Sequence, residues 1–569
     1  MFSVSEPNNK HKPISLLRLV MCIISLLLVL FLSSLDIIIV VTILNTIADK
    51  FNAYSKIGWL ITGYSLSNAL FTLLWGRLAV IFGSKTTLMV SIIIFEIGSL
   101  VIAVSNSMDM IIGGRVIAGC GASGIQTLVF AIATSLVDER TRGTIVTLLS
   151  LSYAVASALG PYIGGAFTEY VTWRWCFYIN LPIGGLALGV FYLSYNPAQK
   201  KILKCFPHFF KSVTSFEFKQ LLSLKFYMMP LKFLVFELDF FGFAFCSVGF
   251  VLLLLGLTFG GNLHPWHSGT IIAYLVVGSF FIVIFFVYDF VIFDMFWQSQ
   301  YNGNARPLIS WATFSKSGIF TATATMFFGC CAYNLQSIHV VQLFQLVFGQ
   351  SPSRAASHLW SLLIPAFVAI IISGKITSRY GYVKPITLFA GVSGVIGAGL
   401  LTLLNGESTN SEQIGYAILS GAAFGCINLS TLLSAQIQID KNDPKYDEKF
   451  IEVTALNTFG KSLGISFGGI VGTTVFTASV RNKLSNLNYD PNIGKSVEAL
   501  IAYRSQNFDG PNSEIGRLLT SSVRNVFFTS LGFSCMAFIF GIFTSKKRVE
   551  KSVPKERVKG DLEENHGNP

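Results

Sequence analysis

Apolar runs long enough to form a membrane-crossing helix recur from one end of this chain to the other, and that recurrence limits the fold before any motif is read. A helix rises about 1.5 Å per residue, so roughly 20 apolar residues cross a hydrocarbon layer of about 30 Å. Fourteen such stretches are predicted, the first over residues 19–44 and the last over 523–543. Of the 569 residues, 52% are hydrophobic and only 12% charged, against roughly a quarter charged in a soluble protein. Too few polar residues remain to cover a water-facing surface, so a soluble enzyme is excluded and lipid is the solvent of the fold. The first run follows Lys10, Lys12 and Arg18, as a secretory signal would. It is too long for one and contains Asp36, so it reads as an anchor that stays in the protein.

The formal net charge of +12 would suit nucleic acid if the basic residues shared one soluble face. Instead they fall mainly in short connections between apolar runs, so no nucleic-acid partner is expected. Of 41 Lys and Arg, 29 lie on the amino-terminal side of the predicted spans, 10 on the other side, and two, Arg115 and Lys461, within spans. Both termini are therefore expected in the cytoplasm. The expected organisation is a cytoplasmic amino terminus (1–18), a six-helix bundle (19–194) and a cytoplasmic linker (195–237). Two inserted helices (238–288), a second six-helix bundle (314–543) and a basic cytoplasmic tail (544–569) follow. The linker interleaves Phe with Lys200, Lys201, Lys204, Lys211, Lys219, Lys225 and Lys232, which suits an amphipathic segment on anionic lipid. Most of the nine cysteines sit inside apolar runs and read as packing residues. Neither they nor the seven scattered histidines show metal-ligand spacing, and no metal or other cofactor is expected.

An internal repeat is visible. Gly76-Arg77-Leu78-Ala79-Val80-Ile81-Phe82-Gly83, then Lys85, is matched by Gly374-Lys375-Ile376-Thr377-Ser378-Arg379-Tyr380-Gly381, then Lys384. Each has two glycines seven apart and a basic residue after the first, as equivalent tight turns in two six-span halves would. The first loop resembles the signature loop of the major facilitator superfamily, and Arg115-Val116-Ile117-Ala118-Gly119-Cys120-Gly121 resembles its span-4 arginine motif. Gly160-Pro161-Tyr162-Ile163-Gly164-Gly165 resembles the antiporter motif. The run Trp173-Arg174-Trp175-Cys176-Phe177-Tyr178-Ile179-Asn180-Leu181-Pro182-Ile183-Gly184 is similar to that of the fourteen-span drug:proton antiporters. Ile57 to Tyr64 and Phe450 to Ala455 look like the yeast branch, which includes crystal-violet and azole resistance exporters and vacuolar basic amino acid transporters. The resemblance implies an all-α membrane fold of two six-helix bundles plus two inserted helices. Where the signature loop usually carries an acid, this chain has Val80, so the usual charge contact with a neighbouring helix end is absent.

Ionisable residues inside spans cost roughly 2.5–3.5 kcal/mol each on insertion scales and so call for a reason. Asp36 is the first proton-carrier candidate, because a carboxylate in a low-dielectric cavity can take up and release a proton as the cavity meets two compartments. The resemblance assigns Arg115 to proton transfer; a guanidinium keeps its own proton and would act by holding a carboxylate ionised. A static Asp36–Arg115 pair joining spans 1 and 4 is the alternative. Glu96 either faces the interior, coupling to protons and attracting a cation, or lies in a packing seam bonded to a serine. Tyr64, Tyr153, Tyr333, Gln345 and Lys461 are candidate cavity groups, with snorkelling to the cytoplasmic surface the other reading of Lys461. Gly76, Arg77, Gly83 and Lys85 are assigned to gating. Gly160, Pro161, Gly164 and Gly165 are assigned to a kink where the halves rock.

No Walker loop, Cys-x-x-Cys or His-Glu-x-x-His pattern is present, which argues against an enzyme and against nucleotide-driven transport. The function expected is substrate:proton antiport by a monomer in the bilayer. Its substrate is either a hydrophobic or cationic drug or dye exported at the plasma membrane, or a basic amino acid moved into the vacuole. A membrane receptor that binds ligand without turnover is the reading from a different class.

Overall fold

The computed structural model describes residues 15–51, 56–196, 233–261, 264–297, 307–484, 504 and 508–550. The linker lysines and most of both tails lie outside the described residues. Fourteen long helices carry the fold. In chain order they are α1 Leu16–Phe51, α2 Ile57–Phe82, α3 Ser84–Ala103, α4 Met108–Ser135, α5 Glu139–Tyr170, α6 Asn180–Ser194 and α7 Phe240–Phe259. Then come α8 Gly269–Val287, α9 Ser317–Leu346, α10 Trp360–Tyr380, α11 Lys384–Leu401, α12 Asn410–Gln436, α13 Tyr446–Leu484 and α14 Glu514–Ile542. No β-strand occurs among the described residues.

Thirteen candidate spans among the described residues are long and apolar enough to cross a membrane. The remaining long helix, α9, has 30 residues but carries Thr321, Thr323, Thr325, Asn334, Gln336, His339, Gln342 and Gln345. It is enclosed by α12, α13 and α14, so these groups meet protein instead of lipid. The helix was expected over 314–333 and runs on to Leu346, because the polar half of its sequence gives no hydropathy signal. Similarly, α13 extends well past the expected 453–477 at both ends.

Helices α1 to α6 share one apolar core, and α9 to α14 share others of their own. The inserted pair α7 and α8 lies across the seam where α2 of the first half meets α13 of the second. Phe243 packs on Phe71 and Phe259 on Trp59 of α2, while Phe250 packs on Phe459 of α13. The segment leading into α9 is held by three carboxylates. Asp239 accepts from the Leu308 amide (2.6 Å), Asp289 from Ile309 (2.9 Å) and Glu452 from Ser310 (2.9 Å).

The sequence repeat is also a repeat of geometry. Gly83 closes α2 at φ 86° and Gly381 closes α10 at φ 74°, a region that favours glycine because it has no Cβ. Lys85 donates to the Tyr192 carbonyl at the end of α6 (2.7 Å), and Lys384 donates to the Thr544 carbonyl just past α14 (2.9 Å). In each half the loop lysine thus satisfies a terminal carbonyl of the last helix.

Candidate functional site

The span-4 arginine motif explains its own burial. A Cβ at Gly119 would collide with Tyr64 of α2 and one at Gly121 with Phe95 of α3, so only glycine lets α4 seat this closely on both. That approach carries Arg115 into the first half, where its guanidinium ion-pairs with Asp36 of α1. Arg115 Nε donates to the Leu60 carbonyl (3.0 Å), and its guanidinium lies 4.2 Å over the Tyr64 ring. The Tyr64 hydroxyl donates to the Ser33 carbonyl (3.3 Å). Asp36 is 1% and Arg115 2% exposed. Among the described residues no donor reaches Asp36 Oδ1, so the carboxylate is bonded through one oxygen and buried unpaired at the other. Tyr64, expected in a substrate cavity, instead packs with this pair.

Glu96 lies in the seam between α3 and α6. Its carboxylate abuts Gly184 of α6, neither oxygen has a donor among the described residues, and the neighbouring Ser99 is engaged by Asn180 (3.1 Å) and not by Glu96. Lys461 does not snorkel out along its helix. It stands 15 residues into α13, roughly 20 Å from its start at about 1.5 Å per residue. Its Nζ lies 5.9 Å from the ring centroids of both Phe130 of α4 and Tyr153 of α5, so it bridges the two halves. Tyr333 stacks on Phe424 at 3.6 Å and, with Gln336, Ser420 and Ser534, lines a cavity of about 20 Å³ inside the second half, room for roughly one water. Gln345 lies near the far end of α9, about three turns beyond Tyr333, and the structure does not bring it to Lys461.

The two halves meet most extensively at the end that carries the repeat loops. A Cβ at Gly76 would stand 2.5 Å from Ala455 Cβ, and one at Gly143 of α5 3.3 Å from the Gly374 carbonyl oxygen. The first glycines of the two repeats therefore mark equivalent crossings, α2 on α13 and α10 on α5. Thr147 donates to the Ile370 carbonyl (3.1 Å), Arg140 to the Arg379 carbonyl (3.0 Å), Arg142 to the Tyr446 hydroxyl (3.2 Å) and Gln436 to Thr134 (3.2 Å). Val146, Ile370, Leu429, Leu432 and Leu433 form an apolar plug between them, completed by Val549 from the segment after α14. Val549 donates its amide to the Gly381 carbonyl (3.0 Å), and Lys441 joins Glu550 (2.8 Å) to Glu139 (2.6 Å) across the same face. Burial works against the Lys441 charge, but hydrogen bonds to the two glutamates outweigh it and raise its pKa; the same bond lowers that of Glu550. Arg77 donates to the Glu237 carbonyl ahead of α7 (2.8 Å), while Val80 packs against the first half's apolar core. Neither the plug nor its polar ring was singled out from sequence, although Glu452 lies in the Phe450–Ala455 motif.

Gly160 and Gly164 pack α5 against α1 within the first half, meeting Ile38 and Thr42, and Gly165 meets nothing within 4 Å. The helix runs on through Pro161 from Glu139 to Tyr170.

Comparison with known proteins identifies the family of these paired bundles. Residues 26–295 match the profile of the Major Facilitator Superfamily. Protein SGE1 of Saccharomyces cerevisiae is 48% identical, covering 95% of this chain and all of that one. The chain belongs to the major facilitator superfamily. Vacuolar basic amino acid transporter 5 from the same yeast is 48% identical over 97% of this chain and 95% of its own. Azole resistance protein 1 is 44% identical over 93% and 89%. Among solved structures, the proton:xylose symporter XylE aligns with a TM-score of 0.54 at 12% identity, covering 88% of this chain and 98% of that one. The human organic anion transporter MFSD10 gives 0.51 at 13%, covering 91% and 99%. At those identities the likeness is one of fold.

Proposed function

We propose that this superfamily transporter is a proton-coupled antiporter that exports hydrophobic or cationic compounds from the cytosol. The observation that carries the reading is the buried Asp36–Arg115 pair with its unpaired Asp36 Oδ1. A proton arriving there cancels the charge that holds Arg115 and loosens α1 from α4; its loss restores the tie. With both termini cytoplasmic, as the Lys and Arg distribution supports, the plugged end is the inner one and the conformation faces outward. Rocking of 19–194 against 314–543 would then separate α2 from α13 and α5 from α10. The chain's likeness to Azole resistance protein 1 supports the export of organic compounds at the plasma membrane. Its likeness to vacuolar basic amino acid transporter 5 supports a second reading, in which arginine or lysine is moved into the vacuole by the same exchange.

The test is proton-gradient-driven uptake into sealed vesicles, with a fluorescent organic cation and labelled arginine as competing substrates. Asp36→Asn, which keeps the shape but not the charge, should abolish gradient-driven uptake while leaving the protein folded and delivered. Unchanged uptake removes Asp36 from the mechanism. Tagging the protein separates the two substrate readings by membrane, since a vacuolar rim favours amino acids.

A further inference from the structure

Among the described residues Lys461 has no ion-pair or hydrogen-bond partner, and its ammonium is set between the two halves. Phe130, one of the two rings it faces, also packs against the apolar plug, so Lys461 stands next to the plug, on the seam between the halves. The groups around it are Phe130 from α4, Tyr153 from α5 and, from α9, the neutral thiol of Cys330. Among the described residues no carboxylate pairs with it. Aromatic faces at about 6 Å are the surroundings an organic cation also prefers, and the protein's own ammonium already occupies them.

We propose that Lys461 is the residue at which an incoming organic cation is exchanged for a proton, acting as a tethered competitor for its site. This rests on the export reading above. Two unit charges about 5 Å apart at an effective dielectric of about 20 disfavour each other on the order of a hundredfold. A cation entering from the cytosol therefore expels the proton of Lys461 into the inward-facing water, leaving a neutral amine beside the bound cation. After the halves rock, the cation departs outward and the amine takes a proton from the outer water. One positive charge stays in the site in both directions, so neither half-cycle carries an empty or a doubled charge through the low-dielectric region. By linkage, protonation weakens cation binding by the same factor that the cation weakens proton binding.

The experiment is calorimetric titration of the purified full-length protein with tetraphenylphosphonium, in buffers of different ionisation enthalpy and over a pH series. The wild type should release up to about one proton per cation bound, with affinity rising up to about tenfold per pH unit until Lys461 is neutral. Lys461→Gln should release none and bind with affinity independent of pH. Lys461→Arg, which cannot shed its charge, should bind on the order of a hundredfold more weakly and release none. Undiminished proton release in folded Lys461→Gln overturns the inference and leaves export intact. So does a variant that loses only arginine binding, which would make Lys461 a carboxylate anchor. A wild type that binds neither tetraphenylphosphonium nor arginine overturns the export reading and this inference with it.

Discussion

Replacing Gly76 with alanine tests whether the α2–α13 crossing is the closed gate. The new methyl would sit 2.5 Å from Ala455 Cβ, and methyl carbons in contact prefer about 3.5–4.0 Å, so the helices must separate by about 1 Å or more. Overpacking of this kind costs about 1–3 kcal/mol. The cost falls only on the conformation in which α2 lies on α13, which lowers the ratio of closed to open molecules by roughly 5- to 150-fold. Spin labels on Leu193 and Tyr380, exposed residues near the sealed end, would report the population by pulsed distance measurement in a cysteine-replaced background. Gly76→Ala should lengthen the distance and depress gradient-driven uptake. Ala455→Gly removes the facing methyl, so the double variant should recover both, a coupling that two independent lesions would not show. If Gly76→Ala leaves the distances unchanged, or Ala455→Gly fails to rescue, the crossing is not the gate.

Arg115→Ala leaves Asp36 buried and unpaired, and should destabilise the fold by about 3–5 kcal/mol; an unchanged melting temperature in detergent would contradict the buried pair. Glu96→Gln removes a charge that has no donor in the α3–α6 seam, so melting temperature should hold or rise with proton-coupled uptake intact. Loss of coupling in folded protein would return Glu96 to the proton path. The Lys441–Glu550 tie depends on pH with a known sign. The lowered pKa of Glu550 means its contribution is present above the ordinary carboxyl range and lost as pH falls through the lowered value. The raised pKa of Lys441 means its contribution is present below the ordinary lysine value and lost as pH rises through the raised one. Proteolysis of the segment after α14 should therefore be slow at neutral pH and faster on acidification, and a flat profile would refute the tie.

What the sequence disclosed and what it hid divide along physical lines. Lipid imposes length and apolarity on any span facing it, so the helices that meet lipid were readable, whereas α9, screened by its neighbours, was free to be polar and its limits were misplaced. The two glycine loops were readable as a repeat because turn geometry demands glycine at Gly83 and Gly381. That Gly76 and Gly374 touch the opposite half depends on pairing helices more than about 200 residues apart, which spacing cannot reveal. For the same reason Asp36 and Arg115 were each visible as intramembrane charges, but the direct contact between them was one of two readings. Lys461 was ambiguous because a long flexible stem reaches either an interface or a surface, and only the rings of Phe130 and Tyr153 decide between them.

The inserted helices constrain how the halves move. Helix α7 touches α2 through Phe243 and Phe259 and α13 through Phe250, and Thr474 of α13 donates to the Leu257 carbonyl (3.0 Å). Its lead-in is tied to the first half by Arg77 at Glu237, while Asp239, Asp289 and Glu452 hold Leu308 to Ser310 at the entrance to the second. Helix α7 is fastened to both sides of one crossing and has no counterpart over the α5–α10 crossing among the described residues, which makes the two gates unequal despite the repeat. Separation of α2 from α13 must slide aromatic faces that tolerate offset packing, or break the Arg77 bond. Separation of α5 from α10 must break the Thr147–Ile370 and Arg140–Arg379 bonds and pull Val549 from the plug. The unclamped α5–α10 side, guarded by the segment after α14, is therefore where the inner mouth should open widest, with the α2–α13 crossing separating less.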